Sequence, residues 1–496
     1  MGILDSMAAR LKDREAKAML RRFSIFQPST ISSTSNLADF SSNDYLSIAT
    51  SSSLKDAFMR RASAGRVGGS TGSRLLDGNN GQGEMEHLEA RLCRFFDAEH
   101  ALLCPSGWEA NVSLFSTVPQ PGDVVLYDSL VHASVHDGMR RSRAHCVAFK
   151  HNDVRDFERQ MDAIVSSGRL SPKANVFLAV ETLYSMDGDY APLPQLIAAA
   201  RRHFPAGSGR FWTLVDEAHS VGVHGATGAG ICQMLGVCRD PEVMRVCTFG
   251  KGFGSSGAVI LTRSSVARQY LINYARPLIF STAMPHANVH LIHASLDVLE
   301  SEEGPARRSR LHVNCGMLRE ELRAIDGLQE DEEGLLSLQP RAESSQASKL
   351  PAGGDPMWLR AVCNAAAIGS DDSDAGDPPS GSSLTSTAPS PPVPLPSPIM
   401  PLLTEHASTR PLAAFLQSRG FLVRPITYPT VPLGRDRVRI CVHSDNTEEQ
   451  VRGLARAVRE WTTRESRMRG SNRGGDEQQQ QQPPQTSARA GRESRL

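Results

Sequence analysis

The sequence lacks an excess of charge of either sign, long apolar runs and closely paired cysteines. Lysine plus arginine number 54, and aspartate plus glutamate also number 54, so the net charge does not indicate a nucleic-acid or acidic-membrane partner. Nine cysteines include no Cys-x-x-Cys pair, which disfavours a structural zinc or disulfide framework and favours a reducing compartment. No apolar run approaches the roughly 18–20 residues needed to cross a bilayer. Asp5, Asp13 and Glu15 disfavour a secretory signal or a mitochondrial presequence.

The length and the uneven composition predict several units. A chain of 496 residues exceeds one compact core and corresponds to about three domain-sized units. Residues 330–396 and 465–496 are polar and rich in Pro, Ser, Gly or Gln, so they cannot bury enough apolar surface to offset their ordering entropy. We therefore expect an N-terminal helix and arm (1–40), a large domain (41–285), a small C-terminal domain (286–329 and 397–464), a disordered insertion (330–396) and a disordered tail (465–496).

Short apolar runs alternate with helical patterns, such as Glu86–Phe96 and Leu193–His203, between about residues 85 and 265. This βαβα order predicts an α/β fold with a mostly parallel sheet between helices. The ligand site of such a sheet lies at the carboxyl ends of its strands. The predicted strands are Ala101–Cys104, Val124–Tyr127, Val176–Val180, Trp212–Val215, Val246–Phe249 and Ala258–Thr262.

Outside this region, hydrophobic periodicity predicts further helices and strands. The predicted elements are helices over 5–22, 286–325, Thr409–Arg419 and Thr447–Thr462, strands over Phe421–Pro425 and Arg437–Val442, and a short helix, Met357–Ile368, within the insertion.

Two polar segments at predicted strand ends carry the chemistry. Asp216–Ser220 follows the strand Trp212–Val215, and Thr248–Gly254 places Lys251 between two glycines. The glycines let a ligand approach the backbone closely, and the lysine amine can form a Schiff base with an aldehyde cofactor. An aspartate at the end of the preceding strand can keep a pyridinium nitrogen protonated. Alone, Lys251 is typical of a loop lysine; with Asp216, it predicts a cofactor site.

Segments in the same order along the chain resemble motifs of the α-oxoamine synthases. The resemblance extends from about Leu20 to Trp461, apart from residues 330–396. It implies a fold-type I PLP-dependent transferase, with a large domain and a smaller C-terminal α/β domain. It also implies pyridoxal 5'-phosphate (PLP) as cofactor, and an amino acid and an acyl-CoA that are condensed with loss of carbon dioxide. The matching segments are Asp39–Leu46, Gly69–Arg74, His132–Ser134, Ser185–Asp189, Asp216–Ser220, Thr248–Gly254 and Phe280–Pro285.

The residues around Lys251 are most similar to the biotin-pathway members of the family, which join L-alanine to a pimeloyl thioester. This similarity implies L-alanine and pimeloyl-CoA as substrates. Another amino acid or acyl-CoA, such as glycine, serine or a polyketide-like thioester, stays open as an alternative. A catalytically silent partner subunit is disfavoured, because Lys251, Asp216, His132 and His219 are all present. The family motifs also disfavour an aminotransferase on the same fold.

The resemblance implies that Lys251, Asp216 and His132 are the catalytic residues. Lys251 anchors the cofactor and then removes the Cα proton of the amino acid. Asp216 holds the ring nitrogen protonated, and His132 stacks over the ring. His219 is expected to hydrogen-bond the phenolic oxygen of the cofactor. Taken singly, His132 is more typical of a loop histidine that makes a structural bond, and His219 could instead support the residues that touch the cofactor.

Further cofactor contacts follow from the same resemblance. Gly107 and Trp108 open a helix after a strand and would offer backbone N–H groups to the phosphate. Ser185 and Thr248 would contact cofactor oxygens, although isolated hydroxyls are also common in turns and caps. The remaining candidates are Glu181, expected to orient the site, and Thr282, expected to reach the phosphate of a partner subunit.

The substrate-binding candidates are Arg439, Thr430 and Arg21. Arg439 matches the arginine that grips the amino-acid carboxylate, a task suited to a guanidinium fork. We expect only one of Arg437 and Arg439 to point inward. Thr430 matches a substrate-contacting threonine, and Arg21 matches an acyl-substrate arginine, although the adjacent Arg22 leaves the register open. No metal site is expected.

Two positions depart from the family pattern. Thr427 stands where the bacterial enzymes often carry arginine, and Met85 occupies the register of a family histidine, with His87 two residues further on. These departures bear on the acyl-chain preference and not on the cofactor chemistry.

The C-terminal tripeptide Ser494–Leu496 resembles the peroxisomal address S-K-L with arginine in place of lysine. It predicts a peroxisomal location and an import receptor as partner, with a cytoplasmic location as the alternative. The family resemblance also implies a homodimer. Neither a nucleic-acid partner nor a membrane span is expected.

Overall fold

The computed structural model describes residues 2–17, 19–21, 23, 37–76, 83–168, 170–330, 336–337 and 396–479. It is an α/β protein built around a seven-stranded, mostly parallel sheet. The strand order is β2-β8-β7-β6-β5-β3-β4, and only β8 runs antiparallel to its neighbours. Its strands are β2 His100–Cys104, β3 Val124–Asp128, β4 His145–Phe149, β5 Val176–Glu181, β6 Phe211–Asp216, β7 Val243–Thr248 and β8 Ala258–Thr262.

Helices cover both faces of this sheet, as the βαβα order predicts. All six residues of β5 are buried, which is typical of a strand packed on both faces. One apolar cluster packs α4 and α5 on one face, and another packs α6 and α7 on the other. The helices up to the end of this region are α1 Ile3–Ala16, α2 Ser52–Ala64, α3 Glu84–Phe96, α4 Gly107–Thr117, α5 Ala133–Ser142, α6 Val154–Ser166, α7 Leu193–Arg201, α8 Ile231–Met234, α9 Ser265–Tyr274 and α10 Arg276–Phe280.

A second sheet of five strands, in the order β13-β14-β11-β10-β9, follows in the C-terminal part, and the short strands β1 and β12 pair separately. The strands are β1 Ala38–Asp39, β9 Gln329–Glu330, β10 Leu336–Ser337, β11 Ile399–Leu403, β12 Phe421–Leu422, β13 Arg424–Ile426 and β14 Arg437–Cys441. The helices are α11 His286–Glu300, α12 Glu303–Arg323, α13 His406–Ser418 and α14 Glu448–Gln479. No helix among the described residues is long and apolar enough to span a membrane.

Two of the predicted segments need correction. Leu336–Ser337 lies inside the expected insertion, yet it pairs with β11 as a strand. Helix α14 continues to Gln479, although a disordered tail was expected from residue 465. That expectation used the loss of apolar periodicity, but residues such as Arg, Glu and Gln also have high intrinsic helix propensity. The proposed helix Met357–Ile368 lies outside the described residues.

The edge strand β4 was missed by the pattern analysis. Four of its five residues are at least partly exposed, so they do not form the apolar run that marks an interior strand. The predicted helix over 5–22 ends earlier, at Ala16, and the stretch 286–325 is two helices that meet at Ser301–Glu302. The domain limits themselves stay predictions.

Candidate active site

Three polar residues end three neighbouring strands of the large sheet. Glu181 is the last residue of β5, Asp216 the last of β6 and Thr248 the last of β7. Glu181 and Asp216 pair directly in the parallel register. The carboxyl ends of the strands thus gather the polar groups at one edge, as expected for a ligand site of this fold.

Lys251 lies on the loop after β7 and points at His219 on the loop after β6. Its Nζ is 2.9 Å from His219 Nε2. Burial lowers the pKa of Lys251, although Asp216 and Glu181 oppose the shift. Burial also lowers the pKa of His219 well below its usual value, and Lys251 adds to the shift. The pair is therefore a weakly basic amine beside a neutral imidazole.

Asp216 is held by a chain of hydrogen bonds that reaches His132. Asn111 Nδ2 donates to Asp216 Oδ2 at 2.7 Å and lies 3.0 Å from Ser134 Oγ. His132 Nδ1 accepts from the backbone N–H of Ser134 at 3.3 Å and lies 2.7 Å from its hydroxyl, so the proton of the neutral imidazole is on Nε2. The backbone N–H of Ala218 donates to the other carboxylate oxygen of Asp216 at 2.8 Å. Asp216 is thus oriented from both sides.

Glu181 is a buried carboxyl group beside Asp216. Burial, and next the charge of Asp216, raise its pKa well above the usual value. Its Oε1 has no hydrogen-bond partner within the described part of the chain. A protonated carboxyl fits this environment better than a carboxylate, because an unpaired buried charge is costly.

The N-terminus of α4 forms one wall of the site. Ser106 caps the helix by accepting from the N–H of Glu109, and the N–H groups of the first turn have no partner inside the helix. A Cβ at Gly107 would lie 3.2 Å from Thr248 Oγ1, so glycine allows the helix to start close to β7. Trp108 packs edge-on against His132, with ring centroids 5.8 Å apart.

Both arginines of β14 contact the loop Ser185–Asp187. Arg439 Nε donates to the Ser185 carbonyl at 2.7 Å, whereas Arg437 donates to the Met186 carbonyl at 3.0 Å and pairs with Asp187. The expectation that only one of them points inward is wrong. Residues two apart on a strand lie on the same face, and both side chains are buried.

Three predicted site residues are not brought to this cluster. Thr282 is exposed between α10 and α11, Thr430 is exposed on the loop before β14, and Arg21 is exposed after α1. Among the described residues, no hydrogen bond joins their side chains to Lys251 or Arg439. Their predicted roles stay predictions.

Comparison with known proteins identifies the family. The description "aminotransferase class I and II" matches residues 35–349. An 8-amino-7-oxononanoate synthase of Emericella nidulans is 35% identical over 467 residues, which cover 93% of this chain and 96% of that protein. The chain belongs to the α-oxoamine synthases. Aminoacyl transferase sphA of Aspergillus fumigatus is 30% identical over 84% of this chain and 79% of its own length.

Solved structures share the fold of this α-oxoamine synthase. A serine palmitoyltransferase of Sphingomonas wittichii superposes with a TM-score of 0.69 at 23% identity, covering 94% of this chain and all of that one. An 8-amino-7-oxononanoate synthase of Francisella tularensis gives a TM-score of 0.58 at 22% identity, covering 87% and 99%. The fold-type I architecture predicted from the motifs is confirmed. The protein is a PLP-dependent acyltransferase.

The residues of this α-oxoamine synthase fit PLP. The open N–H groups at the start of α4 suit a phosphate, and Gly107 leaves room that a side chain would fill. Glu181 Oε1 is buried and has no hydrogen-bond partner among the described residues, so it is open to a polar group of a ligand. Lys251 offers an amine, and Asp216 offers a carboxylate fixed in direction by Asn111. These five features suit an anionic pyridine aldehyde.

Sequence reasoning missed Asn43, Tyr45, Asn111 and Ser134. Tyr45 hydroxyl lies 2.7 Å from His219 Nδ1, and Asn43 Oδ1 accepts from Arg439 at 3.1 Å. Both lie in the motif Asp39–Leu46, which was recognised without a role for its side chains. Asn111 follows Trp108 by one helical turn, and this spacing was a usable signal.

One group with metal-ligand chemistry lies beside this site. The ligand atoms of His151, Asp187 and Asp189 are within 4.8 Å of one another. His151 instead bonds Asp128 and Asp189, each at 2.8 Å. Burial lowers its pKa, but the hydrogen bonds that it donates to the two carboxylates outweigh burial and bring the pKa to about 10. A charged imidazolium between carboxylates accounts for the group without a metal ion.

Proposed function

We propose that this protein condenses L-alanine with pimeloyl-CoA to give 8-amino-7-oxononanoate, CoA and carbon dioxide, a step of biotin biosynthesis. The observation that carries the proposal is the similarity to the Emericella nidulans synthase over nearly the whole of both chains. The segment Thr248–Gly254 around the lysine supports it. The similarity to aminoacyl transferase sphA makes another amino acid or acyl-CoA the competing outcome.

Arg439 is the proposed carboxylate-binding residue. Its Nε is engaged by Ser185 and one Nη by Asn43 and Tyr45, so the guanidinium is locked in one orientation. The other Nη can then pair with a substrate carboxylate at the mouth of the site. This contact would place the amino-acid Cα above the strand ends.

Lys251 is the proposed base. A buried amine with a lowered pKa is neutral more often at physiological pH, and it can accept the proton that leaves Cα. Its contact with His219 Nε2 at 2.9 Å holds Nζ over the strand ends.

Asp216 and His132 are the proposed groups that hold the ring. When bound, PLP supplies an aldehyde and a ring that withdraws electrons from Cα. Asp216 keeps a proton on the ring nitrogen, since Asn111 and Ala218 fix its carboxylate in place. His132, held by Ser134, would cover one face of the ring and exclude water from it. Glu181 and Thr248 end the strands on either side of Asp216.

The deciding experiment is a product assay by mass spectrometry with purified holoenzyme. L-alanine, glycine and L-serine are each paired with pimeloyl-CoA, palmitoyl-CoA and acetyl-CoA. We expect 8-amino-7-oxononanoate from alanine and pimeloyl-CoA at a kcat/KM at least tenfold above every other pair. A higher value for any other pair overturns the proposed substrates and leaves the family unchanged.

We further propose a homodimer. In the single chain, Thr282 is exposed and the neighbouring Phe280 is 70% exposed, so this segment is available to a second copy. Sedimentation of the holoenzyme tests this, and a monomer at micromolar concentration contradicts it.

We also propose import into peroxisomes through Ser494–Leu496, which lies outside the described residues. Fusing a tag after Leu496 should leave the protein in the cytosol, whereas a tag at the N-terminus should not. Peroxisomal location of both fusions would refute the proposal.

A further inference from the structure

Tyr45 connects two groups of the site that come from distant parts of the chain. Its hydroxyl lies 2.7 Å from His219 Nδ1 and accepts from an Nη of Arg439 at 3.4 Å. Its side chain is fully buried. The tyrosine therefore contacts both the imidazole beside Lys251 and the arginine assigned to the substrate carboxylate.

The direction of the hydrogen bond from Tyr45 follows from its surroundings. Burial raises the pKa of Tyr45, so the phenol keeps its proton. It has two acceptors in reach, His219 Nδ1 at 2.7 Å and Asn43 Oδ1 at 3.2 Å. Asn43 Oδ1 already accepts from Arg439 at 3.1 Å. The shorter contact and the free acceptor both favour donation to His219 Nδ1.

The protonation of His219 depends on groups from four parts of the fold. Tyr45 faces it from the N-terminal motif and Lys251 from the loop after β7. Arg439 on β14 and His132 at the start of α5 also face it. Burial, followed by the charges of Lys251, Arg439 and His132, keeps its pKa well below the usual value. The neutral ring carries one proton, and the partner of Nδ1 decides which nitrogen holds it.

We propose that Tyr45 is a positioning residue for His219. By donating to Nδ1, it keeps the ring proton on Nε2, which lies 2.9 Å from Lys251 Nζ and would donate to the phenolic oxygen of PLP when the cofactor is bound. A donor beside that oxygen favours its deprotonated form. The proposal rests on the assignment of Lys251 and His219 to the cofactor site and is independent of the acyl substrate.

The first test is the pH titration of the visible absorbance of bound PLP in Tyr45→Phe. Without the phenol as donor to Nδ1, the single proton of the His219 ring can move from Nε2 to Nδ1. Nε2 then no longer donates. We expect the midpoint of the titration to rise by about half a pH unit or more, the equivalent of one ordinary hydrogen bond. The matched control is Tyr190→Phe, whose hydroxyl lies 3.3 Å from His224 Nε2. It removes the same atom beside another buried histidine and should leave the midpoint unchanged.

The second test separates positioning from a merely structural role. Tyr45→Phe is combined with His219→Asn. If Tyr45 acts through His219, the double variant should have the same titration midpoint as His219→Asn alone. The same upward shift in both backgrounds, or no shift in Tyr45→Phe, overturns the proposal.

A third measurement needs no substitution at Tyr45. In holoenzyme labelled with ¹⁵N-histidine, and assigned with His219→Asn, the ring nitrogens of His219 should show a protonated Nε2 and an acceptor Nδ1. The opposite tautomer overturns the proposal even if Tyr45→Phe fails to fold. Both readouts are obtained without the acyl substrate, so a failed product assay does not affect them.

Discussion

Glu181 and Asp216 lie side by side at the ends of adjacent parallel strands and pair in register. Only one of two neighbouring buried carboxyl groups is readily ionised, because like charges at close range disfavour each other. Here the pKa of Glu181 is the one raised. Asp216 receives hydrogen bonds from Asn111 and Ala218, which stabilise its charge. The two carboxyl groups therefore differ, because Asp216 accepts these hydrogen bonds whereas Glu181 is buried beside a like charge.

This difference predicts a pH-dependent effect of Glu181→Gln. Above about pH 4.5 the unfolded Glu181 is ionised while the folded one keeps its proton. The unfolded state then binds fewer protons, so this group lowers stability as pH rises toward its folded pKa. Glutamine does not titrate, so the variant does not lose stability in this way as the pH rises. Relative to wild type, Glu181→Gln should therefore gain in free energy of unfolding between pH 5 and pH 8, measured by urea denaturation.

The control for that measurement is Glu320→Gln, at an exposed position of α12. A relative stability of Glu181→Gln that stays flat or falls with pH would show that Glu181 is ionised in the fold.

Lys251→Ala should abolish both turnover and the visible absorbance that PLP acquires on binding, because it removes the buried amine that lies beside His219 at the strand ends. The exposed Lys173→Ala serves as control and should match wild type in both. Full activity in Lys251→Ala would remove the basis of the proposed reaction.

Asn111→Ala tests the hydrogen-bond chain that orients Asp216 and Ser134. The substitution leaves Asp216 Oδ2 without its 2.7 Å donor, and an unsatisfied buried acceptor costs about 1–3 kcal/mol. We expect a lower melting temperature and a weaker affinity for PLP, measured by calorimetry and by dialysis. Asn273→Ala, at an exposed site, should change neither. Unchanged PLP affinity in Asn111→Ala would mean that Asp216 is oriented without it.

Substitutions of the two arginines of β14 should have different effects, one on substrate binding and the other on stability. Arg439→Lys keeps the charge but loses the fork, so we expect the KM for the amino acid to rise at least about tenfold with PLP binding retained. Arg437→Met breaks a buried pair with Asp187 and should lower the free energy of unfolding by about 3–5 kcal/mol. Steady-state kinetics and urea denaturation of both variants measure the contrast, and a rise in KM only for Arg437→Met would reverse the assignment.

The interior strands of the large sheet could be predicted from the local pattern of apolar residues. The six predicted strands match β2, β3, β5, β6, β7 and β8 to within a few residues, because buried parallel strands are continuous apolar runs. The edge strand β4 has no such run. The strand Leu336–Ser337 is two residues long and depends on pairing with β11, more than sixty residues later. No local signal marks a strand of that kind.

The sequence by itself pointed to Lys251 and Asp216, because each follows an apolar run and parallel strands share one edge. The resemblance to the family added Thr248 and Glu181. Only the tertiary structure decided which side chains complete that edge. Tyr45 meets His219 across 174 residues of chain, and Arg439 meets Asn43 across 396. Such contacts depend on how the C-terminal sheet and the N-terminal segment pack onto the large sheet. The spacing of residues along the chain does not predict that packing.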